Sequence, residues 1–182
     1  IDRGWNCWDS IFRAVLRHEM AHQILFKSPP EKRYLQQMAD QSEPFLYMPV
    51  VWHPEEVALV ERYDLNMVAV EIIGYREEAP IMGAGYLQEL KEKGLVRLIS
   101  SLTLANPLAD VEEEFRKWGQ SRMKDAVLDR NILLSGGHDD DTSILGDPDK
   151  GWGWLVERGF NAIQTDWTLA LNLYLREKGY NI

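Results

Sequence analysis

Short apolar runs separated by amphipathic stretches constrain this chain more than any other feature. Gln23 to Phe26, Phe45 to Val51, Asn66 to Ile73, Val96 to Ser100 and Ala162 to Thr165 are rich in apolar residues without strict alternation. A strand with one wet face alternates polar and apolar residues, whereas a strand covered on both faces does not. The segments between them carry helix signals. Glu31 to Asp40 places Tyr34, Leu35 and Met38 on one stripe. Pro54 opens a stretch with Val57, Leu59 and Val60 before Tyr63, and Pro suits a first helical turn. Tyr86 to Lys93 stops at Gly94, and Leu169 to Lys178 stops at Gly179, the glycine stop of a helix. Strands alternating with helices of about 10–15 residues predict βαβ units and a parallel sheet, an α/β fold. Two details temper the strands: Pro49 weakens the second run, and Lys27-Ser28-Pro29-Pro30 closes the first. No repeat, low-complexity tract or linker divides the 182 residues, which read as one domain.

Charge and composition exclude several function classes. The chain has 20 basic and 29 acidic residues, net −9, the wrong sign for general nucleic-acid binding. An anionic substrate would need a local cation, either Arg/Lys or a metal. Seven Trp, seven Tyr and five Phe argue against disorder. A single cysteine, Cys7, excludes an intramolecular disulfide framework. No apolar run approaches the roughly 20 residues of a membrane-spanning helix. The opening Ile1-Asp2-Arg3-Gly4 reads like the interior of a domain and leaves the compartment open.

Ligands of parallel α/β proteins bind at the carboxyl ends of strands. The polar residues expected there are Asp2 with Arg3, Lys27, His53, Glu71, Ser100 with Ser101, and Thr165 with Asp166. Each has a plain alternative. Asp2 is a frayed terminal residue or a ligand; Lys27 is a solvated loop lysine or a site cation. Glu71 lies inside an apolar run, where an unpaired carboxylate is costly, so it faces a polar site or pairs with Lys27 or Arg97. Asp166 caps the helix near Thr168 or serves the site. The irregular stretch Leu104 to Lys150 holds a charged helix candidate from Ala109 to Lys117, extendable to Asp129, an apolar run Asn131 to Leu134, and a polar loop Gly136 to Lys150. The loop's Gly-Gly-His-Asp-Asp-Asp-Thr-Ser cluster reads as a solvated acidic loop; it lacks EF-hand spacing. His18-Glu-Met-Ala-His22 has the zincin pattern, but it sits at a helix end just before a strand, which argues against a zinc site.

The last third resembles a known family. Gly136-Gly-His-Asp-Asp-Asp, Asp147-Pro-Asp-Lys-Gly-Trp-Gly-Trp154 and Arg158-Gly-Phe-Asn-Ala-Ile-Gln-Thr-Asp-Trp167, followed by Tyr174-Leu175, resemble the end of a bacterial-type glycerophosphodiester phosphodiesterase domain. Ile1-Asp2, Phe26-Lys27, Met48-Pro49, Glu71 and Val96 to Ser101 resemble the ends of its third to seventh strands. The sequence departs from the family at Thr168, Ile99, Ser101 and Gly4. The resemblance implies a (β/α)8 TIM barrel lacking its first two β/α units, with a long region over residues 104–150. It also implies hydrolysis of a small-molecule glycerophosphodiester with a divalent metal, Ca²⁺ or Mg²⁺, in phospholipid metabolism. Asp2 would hold the metal, the one role matched to a family position. Reasoning from strand ends adds Arg3 and Lys27 as offsets to phosphate charge, Glu71 as the orienter of Lys27 or a binder of a substrate hydroxyl, Asp166 as a substrate contact, and Trp152 and Trp167 as cavity walls. The family's His-Arg-Gly and Glu-x-Asp motifs are absent, so this stretch alone is expected to be inactive; two missing strands would leave open sheet edges and an uncovered interior, so it is also expected to be poorly soluble. Family members in bacteria are often secreted or periplasmic. The competing readings are a non-catalytic barrel that binds a ligand or partner, and another barrel enzyme acting on a phosphorylated metabolite. Oligomeric state is left open.

Overall fold

The computed structural model describes residues 1–74, 76–94, 97–103 and 134–180. Five strands, β1 (Leu25–Ser28), β2 (Leu46–Val51), β3 (Ala69–Ile72), β4 (Leu98–Leu102) and β5 (Ala162–Gln164), form one parallel sheet in the order β1-β2-β3-β4-β5. The helices among the described residues are α1 (Trp8–Arg17), α2 (Lys32–Ala39), α3 (Pro54–Val60), α4 (Ala84–Glu92), α5 (Asp140–Leu145), α6 (Trp154–Arg158) and α7 (Thr168–Glu177). The expected mixed α/β fold with a parallel sheet is therefore present. The apolar strands follow from burial of both faces, and each crossover is long enough for a helix.

Several expected boundaries move. β1 begins two residues after Gln23, which lies in a 3₁₀ turn, and it runs through Lys27 to Ser28. Lys27 is thus a strand residue. β3 is shorter than its apolar run, although Val68 still donates to the Tyr47 carbonyl. The largest correction concerns residues 136–150. A six-residue helix, α5, starts there because the Asp139 carboxylate accepts the Thr142 N–H, an N-cap. A π-helical turn, Asp149–Gly153, then leads into α6. The charged helix candidate and most of the run from Asn131 lie outside the described residues.

The strand register sorts side chains onto two faces. Phe26, Tyr47, Val51, Val70, Ile72 and Ile99 point one way and join Trp8, Phe12, Leu35, Val57 and Leu87 in the main core. Lys27, Met48, Val50, Glu71, Ser100, Ala162 and Gln164 share the other face. The sheet is strongly curled toward that second face. In a flat sheet β1 and β5 would lie about 19 Å apart, four strand spacings. Instead the Lys27 ammonium of β1 donates to Gln164 Oε1 of β5 at 3.2 Å. Ile1 continues the pattern beyond β1: its N–H donates to the Leu25 carbonyl and its carbonyl accepts from Lys27 N–H, the two bonds of a parallel bridge.

Candidate functional site

The curl gathers charge at the carboxyl halves of the strands. Lys27 is the third residue of β1, Glu71 the third of β3 and Gln164 the last of β5, all on the concave face. Lys27 Nζ lies 2.7 Å from Glu71 Oε2, 3.2 Å from Gln164 Oε1 and 3.4 Å from Asp2 Oδ2. Glu71 is 1% exposed and Lys27 8%, while the Asp2 side chain is about half exposed at 48%. A carboxylate this deep survives only with a partner, and Lys27 is that partner. Burial pushes the Glu71 carboxyl above its ordinary 4.5, opposed by the neighbouring Lys27 ammonium. Ser100, in register with Glu71 on β4, is also buried. Arg3 is exposed, and its backbone N–H donates to Asp2 Oδ1 at 2.9 Å.

A second buried carboxylate, Asp140, fixes the strand ends beside this cluster. It is fully buried at the start of α5. Its Oδ1 accepts from Thr103 Oγ1 at 2.9 Å, Trp152 Nε1 at 2.8 Å and Thr165 Oγ1 at 2.8 Å; its Oδ2 accepts from Asp166 N–H at 3.0 Å. Thr103 N–H in turn donates to the Gln164 carbonyl. Asp140 therefore ties the segments after β4 and β5 to the α5 start, which holds the backbone that presents Gln164 to Lys27.

The expected site residues divide accordingly. Asp2, Lys27 and Glu71 meet. Asp166 is anchored by its backbone, and its exposed side chain does not cap α7: Trp167 stands at the N-cap, without a side-chain cap bond, and donates its N–H to Thr165 Oγ1. Trp152 lies in a small second core with Leu171 and Tyr174, its indole N–H held by Asp140. Trp167 is 48% exposed. None of the four histidines hydrogen-bonds to Lys27, Glu71 or Asp2. His18 and His22 fall outside α1, His53 caps α3 through a capping box with Glu56, and His138 stacks on Trp154 at 3.7 Å while bonding the Lys150 carbonyl. Gln164 and Asp140 were not among the expected residues. Gln164 was legible as the one polar residue within Ala162-Ile-Gln; Asp140 was hidden between two other aspartates.

A family model described as a domain of unknown function, DUF4996, matches residues 85–175, half of the chain. The chain belongs to the DUF4996 family. The matched span contains Ser100, Asp140, Trp152, Gln164, Thr165 and Asp166, whereas Asp2, Lys27 and Glu71 precede it. No curated protein matches the chain.

No group of three His, Cys, Asp or Glu side chains is gathered among the described residues. The two carboxylates that converge, Asp2 and Glu71, are already bridged by the Lys27 ammonium. No helix among the described residues is long and apolar enough to cross a membrane.

Proposed function

We propose that the curled sheet is an arc of a (β/α)8 barrel of the glycerophosphodiester phosphodiesterase kind, and that its rim binds and hydrolyses a phosphodiester. The observation that carries this reading is the meeting of Lys27, Glu71, Gln164 and Asp2 at the carboxyl side of a parallel sheet, where barrel sites lie. Such convergence from separate strands is what a positioned polar ligand requires. The Lys27 ammonium offers charge to a phosphoryl oxygen. Glu71 holds Lys27 in place, Gln164 fixes it from across the arc, and the half-exposed Asp2 marks the side from which a ligand enters. Stabilising developing negative charge with such a preplaced cation lowers the barrier to phosphoryl chemistry.

The departures from the family at Ile99, Ser101, Gly4 and Thr168 favour a second reading, a barrel that binds a phosphodiester without turning it over. Assay of the full-length protein with glycerophosphocholine decides between them. In the hydrolytic reading the wild type releases an alcohol and a phosphomonoester, and Lys27→Met lowers kcat/KM by about 10²-fold, the scale of one preorganised electrostatic contact. In the binding reading calorimetry shows saturable uptake with no product, and Lys27→Met weakens that uptake. A protein that neither binds nor cleaves the diester ends both.

A further inference from the structure

We propose that the Lys27 ammonium is the resident cation of this rim, occupying the place between Asp2 and Glu71 that a divalent ion would need. The proposal rests on the reading of the rim as the ligand site and specifies which positive charge works there. An ammonium has three N–H donors. Lys27 has three acceptors within reach: Glu71 Oε2 at 2.7 Å, Gln164 Oε1 at 3.2 Å and Asp2 Oδ2 at 3.4 Å. The Glu71 contact is an ion pair and the other two are hydrogen bonds, and the three oxygens come from three directions, β3, β5 and the segment before α1. Neither Lys27 nor Glu71 reaches solvent freely, at 8% and 1% exposed. On the same strand pairing, Lys27 stands beside Met48, which offers no alternative partner.

A divalent ion held by both carboxylates would sit roughly 2.0–2.6 Å from their oxygens. That is the space Nζ fills. Bringing the ion in would expel a buried ammonium and leave it without an anion. A tethered cation avoids this. Asp2 supplies the longest of the three contacts and is the one group of the cluster with substantial exposure. An anionic oxygen of the ligand can take the Asp2 position at Nζ while Glu71 and Gln164 keep their grip. The site then acquires its charge complementarity from the chain itself and requires no divalent ion at this position.

The test uses Mn²⁺ alone as the metal probe, with full-length protein and the electron paramagnetic resonance signal of free Mn²⁺ as readout. Asp2 is exposed, so Asp2→Asn is expected to fold. The proposal expects wild type and Asp2→Asn to give the same Mn²⁺ isotherm. It also expects Lys27→Ala to gain Mn²⁺ affinity of at least about tenfold, a gain that Glu71→Gln in the same chain abolishes. If Lys27→Ala does not fold, the comparison of wild type with Asp2→Asn decides. Saturable wild-type binding that falls tenfold in Asp2→Asn overturns the proposal. Glycerophosphocholine binding in the presence of EDTA separates the two readings: its absence, with unchanged Mn²⁺ isotherms, counts against the phosphodiester ligand and not against Lys27 as the cation.

Discussion

Asp140 and Glu71 are both buried acids, yet they are stabilised in opposite ways. Asp140 is surrounded by neutral donors, and Asp140→Ala would strand the Thr165 hydroxyl, the Trp152 indole N–H and the Asp166 N–H together, while the Thr103 hydroxyl keeps the Gln164 carbonyl as acceptor. Losing several buried partners at once is expected to cost about 3 kcal/mol or more in urea denaturation. Trp152 fluorescence should shift red as its pocket loosens. Glu71 depends on one cation, and its raised pKa has a pH signature. The folded protein holds the proton more tightly than the unfolded chain, so this group's contribution is greatest below 4.5 and declines as pH rises through the raised folded value. Melting temperature measured against pH should therefore fall in wild type relative to Glu71→Gln across that window. Parallel profiles would contradict the assignment. The sequence displayed Glu71 clearly, because one acid in Val70-Glu-Ile-Ile73 must either face a polar site or pair with a cation. It concealed Asp140, because the neighbouring Asp139 and Asp141 give the whole triplet the look of a solvated stretch; only one of the three is buried.

At the level of elements, helices with periodic stripes or glycine stops were legible: α2, α3, α4 and α7 fall within a residue or two of expectation. The region after residue 134 was not. α5 spans six residues and the turn after it is π-helical, so neither shows a helical period over a useful length. Their packing is tight. A Cβ at Gly151 would come within 1.9 Å of Ser143 Oγ and 3.0 Å of the Asp139 carbonyl. Ser143 cannot simply turn away, since its hydroxyl donates to that same carbonyl and accepts the Trp152 N–H. Gly151→Ala is thus expected to lower stability by about 2 kcal/mol in a thermal melt, an overpacking cost. Little change would mean that α5 and the π-turn can separate without loss.

Across the whole molecule, α/β class and parallel pairing could be read from strand patterning, whereas curvature could not. No local signal tells β1 how near β5 will come. Exposed apolar groups mark where further contacts form. On α7, Leu169 is 73% and Leu173 58% exposed, and they sit one turn apart. Exposed apolar clusters favour association. Replacing both with Gln should leave stability within about 0.5 kcal/mol, as at ordinary surface sites, while reducing concentration-dependent self-association seen by light scattering. Unchanged association would place the sticky surface elsewhere. Finally, the bond from Lys27 to Gln164 joins positions 137 residues apart. Closing so long a loop has a large entropic cost, which delays such contacts in folding. The rim is consequently a late product: synthesis must pass Gln164 before Lys27 can meet its distant partner, and no shorter nascent chain can hold the ammonium from both sides.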